Sequence, residues 1–147
     1  MTHYLYLVRH GEHLDAEHGL EDGPLSPRGR RQAELLADRL SGVPLDALWH
    51  SPLERAAETA RAVAVRLQAI TPEPSSLLFD CIPTGMTPDT PSVYEAFFGS
   101  YTDAEIDAGR AQMEDAVGEF LVRKPATHEL LITHNFVIAW FVRAVLD

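Results

Sequence analysis

The sequence predicts an α/β fold, a three-layer sandwich with a mainly parallel central sheet and helices on both faces. Three observations lead there. Short apolar runs alternate with longer amphipathic stretches, the pattern of strands joined by crossover helices. Two of the apolar runs end in histidine, at Arg9-His10-Gly11 and at Thr133-His134-Asn135. The chemically able residues collect where the runs stop, at the carboxyl ends of strands, where parallel sheets hold their ligands.

Taken in order, residues 3–9 read as a buried strand, and 10–25, rich in Gly, Asp, Glu and His, as a long loop. Ser26 caps a helix that has Pro27 at its first position, and Ala33, Leu36, Ala37 and Leu40 recur at helical spacing until Gly42 stops it. Residues 46–50 read as a second strand, and Ser51-Pro52-Leu53-Glu54 matches a capping box with proline in the first turn. The helix that follows carries Leu53, Ala56, Ala57, Ala60, Val63, Ala64 and Leu67 on one face. Residues 76–80 read as a third strand, whereas 81–91, with three prolines and a glycine, must be irregular. A short helix is expected within 92–100, a longer one from Asp103 to about Val122, a fourth strand over 129–133, and a last helix from about Asn135. No internal repeat, low-complexity tract or linker divides the chain.

Composition narrows the function. At 147 residues, 46% hydrophobic and 23% charged, the chain suits one soluble domain with a substantial core. Twelve basic and 22 acidic residues give a net charge of −10, which disfavours nucleic acid and anionic membrane as partners. Any phosphate must therefore be held by a local cluster of cations. The single cysteine, Cys81, cannot form an intramolecular disulfide, which fits a reducing compartment and a cytoplasmic location. The first apolar stretch is too short for a signal peptide and is broken by Arg9, and the apolar run 136–146 is too short for a membrane span and is interrupted by Arg143. Oligomeric state is left open.

The candidate site follows from the strand ends. Arg9 and His10 follow the first strand, with Gly11 where the backbone must turn sharply; Arg55 lies in the first turn after the second, Asp80 ends the third, and His134 follows the fourth. Two guanidinium groups can grip phosphate oxygens in bidentate fashion, and Arg55 lies near a helix amino terminus, where the dipole favours an anion. Phosphoryl transfer with a histidine nucleophile is the leading reading. Asp80 has the simpler alternative of a turn or capping carboxylate, and Glu12 either supports the site or is solvated. His13, Asp15, Glu17 and His18 are metal-ligand types, but on an acidic, glycine-containing loop they read as solvated side chains, so neither metal nor cofactor is expected. Ser26 and Ser51 are caps, not nucleophiles, and Trp49 and Trp140 are core or pocket-wall aromatics. Rival chemistries lack their signatures: six residues after Cys81 stands Thr87 and not arginine, and neither Gly-x-x-x-x-Gly-Lys nor Gly-x-Ser-x-Gly occurs.

Four segments resemble the histidine phosphatase superfamily, which has the phosphoglycerate mutase-like fold: 7–12 (Leu-Val-Arg-His-Gly-Glu), 24–33, 51–60, and 132–135 (Ile-Thr-His-Asn). The resemblance runs over residues 4–146 and implies a single domain over 1–147. It also implies a histidine acid phosphatase-type phosphoric monoester hydrolase needing no metal or cofactor. In it His10 becomes phosphorylated, Arg9, Arg55 and His134 neutralise the equatorial oxygens, Glu12 belongs to the substrate-binding set, and Asp80 protonates the leaving oxygen from the loop carrying Pro83-Thr84-Gly85. Four departures qualify it. The commoner acid is glutamate; Ala16 stands where mutases and fructose bisphosphatases usually have Asn; Asn135 stands where Gly is usual; and the chain lacks the usual C-terminal strand segment, which in a trimmed chain would leave an exposed apolar edge. Its small size is most similar to the phosphohistidine and phosphoprotein phosphatase branch, with a phosphorylated small molecule or a phosphoprotein as substrate. The alternatives are a catalytically weak or silent phosphate-binding member, and a mutase-type or sugar-phosphate enzyme.

Overall fold

A computed structural model describes residues 2–14, 22–67, 70–122 and 127–147. Its elements are β1 (Tyr4–Arg9), α1 (Pro27–Leu40), β2 (Ala47–His50), α2 (Glu54–Leu67), β3 (Pro72–Pro74), α3 (Glu95–Phe98), α4 (Asp103–Phe120), β4 (His128–Thr133) and α5 (Asn135–Leu146), with 3₁₀ turns at Ser76–Leu78 and Ser92–Tyr94. The four strands form one parallel sheet in the order β1-β4-β2-β3.

Alternation along the strands divides the core in two. Tyr6 and Val8 of β1, Leu48 of β2, and Leu130 and Ile132 of β4 face α1 and α2, where Ala37, Leu40, Ala56, Ala60 and Val63 meet them. Leu5 and Leu7, Trp49 and Leu131 face the opposite way, onto Met113, Ala116 and Phe120 of α4 and Val137 and Phe141 of α5. Burying a Leu, Ile, Phe or Met side chain contributes about 1.5–3 kcal/mol, so these two layers are what hold the sheet's ends in register. The alanines of α1 and α2 let those helices lie close to the sheet and to each other.

The register matters for function. Arg9 pairs with Thr133 and His50 with Ile132, and the ladder continues one step as His10 N–H donates to the Thr133 carbonyl at 3.1 Å. His10 and His134, each the first residue after its strand, therefore emerge side by side, with ring centroids 5.1 Å apart.

Two local expectations are corrected. The third strand is not 76–80 but Pro72–Pro74, pairing with β2 alone at the sheet edge, where a proline's missing N–H costs no ladder bond on the open side. Residues Ser76–Leu78 instead make a 3₁₀ turn that drives Leu78, fully buried, beneath α4 and α5. Gly11, for its part, does not have the left-handed φ that a glycine-only turn requires. A β-carbon there would lie 2.7 Å from the Gly29 carbonyl oxygen, and one on Gly29 would lie 2.0 Å from that of Glu12. The two glycines exist to let the loop after β1 touch the first turn of α1.

That contact is reinforced by sequence-local chemistry. Ser26 caps α1 as expected, accepting from Gly29 N–H at 3.0 Å. β1 is an edge strand among the described residues, and Leu5 and Leu7 share a surface groove with Val142, Val145 and Leu146 of α5.

Candidate active site

The carboxyl ends of β1, β2 and β4 open into a cleft of about 690 Å³, and Arg9, His10, Arg55, Asp80 and His134 all line it. Arg55 organises them. It sits in the first turn of α2 and is only 5% exposed, a buried cation that must be matched on every side. Its Nε–H donates to His10 Nε2 at 3.1 Å, Nη1 meets Asp22 Oδ1 at 3.1 Å, and Nη2 reaches both Asp80 Oδ2 at 3.0 Å and His134 Nδ1 at 3.3 Å.

These bonds fix the imidazoles. His10 donates from Nδ1 to the Gly11 carbonyl at 2.7 Å, which leaves Nε2 as the lone-pair nitrogen facing the cleft. Burial, and then the charges of Arg55 and Arg9, lower its pKa from the ordinary 6.5 to about 4, so it is neutral in neutral solution. His134, 2% exposed, accepts from Arg55 on Nδ1 and donates from Nε2 to Ser51 Oγ at 2.8 Å. Burial and the Arg55 charge lower its pKa to about 3.

Asp80 leaves the 3₁₀ turn just before the irregular 81–91 segment and is 40% exposed at its side chain. Burial raises its pKa, against the opposing pull of Arg55. It also lies 3.6 Å from His134 Nδ1. Arg9 is exposed, and no described residue hydrogen-bonds its guanidinium, which stands open to the cleft.

Glu12 is brought elsewhere. Its carboxylate accepts from Ser26 Oγ at 2.7 Å and lies 3.6 Å from Arg28 Nη1, so it braces the start of α1. Asp15, Ala16, Glu17 and His18 lie outside the described residues, and no group of three or more potential metal ligands occurs among those described. Asn135 enters α5 with helical geometry, which asparagine adopts without strain.

Sequence reasoning missed three contributors. The predicted Ser51–Glu54 capping box does not form: Ser51 Oγ meets His134 Nε2 at 2.8 Å and accepts only a long bond from Leu53 N–H at 3.4 Å, while Glu54 N–H goes elsewhere. The cap comes from Asp22, whose carboxylate accepts from Glu54 N–H at 2.8 Å and Arg55 N–H at 3.3 Å. Burial pushes the Asp22 pKa up, but these N–H groups and the Arg55 guanidinium outweigh it and hold it below the ordinary range. Thr59, one turn beyond Arg55, donates to the Arg55 carbonyl at 2.7 Å and accepts Gly11 N–H at 3.0 Å, tying the loop after β1 to α2.

A parallel sheet that brings a neutral imidazole and two arginines to one cleft, at the amino end of a capped helix, belongs to the class of α/β folds suited to hold a phosphoryl group. The chain belongs to the histidine phosphatase superfamily (branch 1), whose family model matches residues 5–79. It is 31% identical over 155 aligned positions to the serine/threonine-protein phosphatase Pgam5, mitochondrial, of Caenorhabditis elegans, covering 99% of this chain and 51% of that protein. It is 42% identical over 82 positions to the adenosylcobalamin/alpha-ribazole phosphatase of Escherichia coli (strain K12), over 51% of this chain and 40% of that protein. The chain thus spans about half the length of the Pgam5 relatives it matches. Among solved structures it is similar to Bacillus stearothermophilus YhfR, with TM-score 0.78 and 27% identity over 99% of this chain and 81% of that one. The alpha-ribazole phosphatase of Shigella flexneri shares the fold, with TM-score 0.76 and 23% identity over 97% of this chain and 79% of that one. The phosphoglycerate mutase-like architecture expected from the sequence is the one observed.

Proposed function

We propose that the protein is a metal-independent phosphatase that hydrolyses phosphomonoesters or phosphoramidates through a phosphohistidine on His10. The observation that carries this reading is the pairing of a buried, neutral His10, its Nε2 facing the cleft, with the guanidinium of Arg55 3.1 Å away. The relatives from Caenorhabditis elegans and Escherichia coli support it, since both are named as phosphatases.

The residues divide the labour. A phosphate dianion entering the cleft draws Arg55 off the Nε2 lone pair and onto its oxygens, and Arg9 closes on it from the exposed side. His10 Nε2 attacks phosphorus while the bond to the leaving oxygen breaks, and protonated Asp80 delivers its proton to that oxygen. Water then attacks the phospho-His10 phosphorus and gives a proton to the Asp80 carboxylate. The P–N bond breaks, and His10 returns to its neutral form with Nδ1–H still on Gly11. Arg9 and Arg55 bear the charge of the equatorial oxygens, with His134 Nδ1 holding Arg55 Nη2 in place, so guanidinium groups do the work that a metal does in other phosphatases.

The test is turnover of p-nitrophenyl phosphate with EDTA present, beside His10→Ala. Hydrolysis insensitive to the chelator and lost in the variant is expected; full activity in His10→Ala overturns the mechanism. A silent phosphate-binding member would bind phosphate yet turn over neither activated nor alkyl esters.

A further inference from the structure

We infer that the site takes phosphate esters whose leaving group carries a flat apolar ring and no second negative charge. This rests on the phosphatase reading above and names its substrate class. The cleft has two chemically distinct ends. One holds Arg9, His10, Arg55 and His134; the other, beyond Asp80, is aromatic, walled by Phe79, Phe97, Tyr101 and Phe136.

The aromatic end is ordered. Phe97 stacks on Phe136 with centroids 5.8 Å apart and planes 10° from parallel, and Tyr101 meets Phe97 edge-on at 5.4 Å. Phe98 closes the cluster edge-on against Phe136 at 6.3 Å. Packed rings of this kind hold one another's orientation. Phe79 and Phe97 nevertheless remain 42% exposed, an apolar surface that folding leaves facing the cleft. Phe79 immediately precedes Asp80, the proposed proton donor, so the exposed rings lie where the leaving group must lie.

Charge selects in the same direction. Among the described residues lining the cleft, Arg9 and Arg55 are the only arginine or lysine side chains, and both belong to the phosphate end. On the aromatic side stands Glu105, in the first turn of α4, with its carboxylate accepting from the Thr102 N–H at 2.7 Å and hydroxyl at 2.9 Å. A leaving group with its own carboxylate or phosphate would face Glu105 with no cation to receive it. A neutral ring would instead cover Phe79 or Phe97 and bury their exposed area.

The experiment compares kcat/KM for 3-phenylpropyl phosphate, propyl phosphate and 3-phosphoglycerate, with p-nitrophenyl phosphate as a check of the chemistry. The first two leaving alcohols have near-equal acidity, so a difference between them reports ring binding and not bond cleavage. The phenylpropyl ester should exceed the propyl ester by about tenfold or more, the scale on which an apolar pocket discriminates, and 3-phosphoglycerate should be the poorest of the three. In Phe97→Ala the phenylpropyl-to-propyl ratio should fall toward one. Competition by 3-phenylpropylphosphonate against propylphosphonate gives the same comparison by binding alone. A ratio near one in the wild type, or 3-phosphoglycerate as the best ester, overturns the inference while His10-dependent hydrolysis of p-nitrophenyl phosphate keeps the phosphatase reading. Absence of His10-dependent turnover of every ester overturns both.

Discussion

Arg55 Nε–H occupies the lone pair of His10 Nε2 across 3.1 Å, so the most buried cation of the site rests on the atom proposed as the nucleophile. This contact holds His10 in its neutral, oriented form, and a phosphate dianion would compete for the same guanidinium. In the proposed mechanism binding and activation of the nucleophile are one event, and four further expectations can be measured alongside the central one.

The pH dependence of stability follows from the two buried imidazoles. His10 and His134 have folded pKa values of about 4 and about 3 against an ordinary 6.5. Between those values the unfolded chain binds the additional protons, so stability rises with pH from about 3 to 6.5 and is fully present above. Asp80, with its raised pKa, acts with the opposite sign. Thermal melts of the wild type between pH 7 and pH 4 should fall more steeply than those of His10→Gln; equal slopes would contradict the assignment.

Asp80→Asn should separate substrates by leaving group. Loss of general-acid catalysis costs about 10²–10⁴-fold on an alkyl phosphate, whose oxygen needs a proton, and far less on p-nitrophenyl phosphate. Parallel kcat measurements decide it, and equal losses on both would remove Asp80 from the acid's role.

Asp22 caps α2 and pairs with Arg55, two jobs that different substitutions divide. Asp22→Ala should lower stability by about 1 kcal/mol through the lost cap, and should also weaken phosphate binding as Arg55 loses its anchor. Asp22→Ser restores a capping oxygen without the charge. It should recover stability in denaturant titrations but not affinity for phosphate.

Gly29→Ala places a methyl group 2.0 Å from the Glu12 carbonyl oxygen, a backbone atom that cannot swing aside. A loss of about 3 kcal/mol is expected, at the upper end of overpacking costs. Gly42→Ala, with nothing within 4 Å of the added carbon, is the control and should be near neutral in the same titration.

Most of the architecture was legible because periodicity is a direct image of burial. The alternation of Leu5, Tyr6, Leu7 and Val8 between the two cores, and the 3–4 residue spacing of Ala33, Ala37 and Leu40, follow from the geometry of strand and helix alone. The third strand was displaced because Pro72 and Pro74 argue against a strand everywhere except at an edge, and no local pattern reveals that the segment is an edge. Arg9, His10, Arg55 and His134 could be picked out because strand ends converge in a parallel sheet, whereas Asp80 follows a 3₁₀ turn and the strand that pointed to it does not form. Asp22 could not. It is one of several acidic residues in a loop, and only the folded chain shows which carboxylate reaches α2. The Ser51 motif misled in part for a related reason: Ser51 Oγ receives Leu53 N–H at 3.4 Å, but it is shared with His134, 83 residues on, and the Glu54 N–H is taken by Asp22. The aromatic wall stayed hidden because Phe79, Phe97, Tyr101 and Phe136 arrive from separate segments, and sequence spacing carries no sign of their meeting.

The most direct test of the covalent mechanism is to mix enzyme with substrate, quench within a turnover under alkaline conditions that preserve phosphohistidine, and map the phosphate by mass spectrometry. Phosphate on His10, absent from His10→Ala and accumulating further in Asp80→Asn with p-nitrophenyl phosphate, is the expected result. Phosphate on another residue, or steady turnover with no labelled His10 at any quench time, would contradict the mechanism.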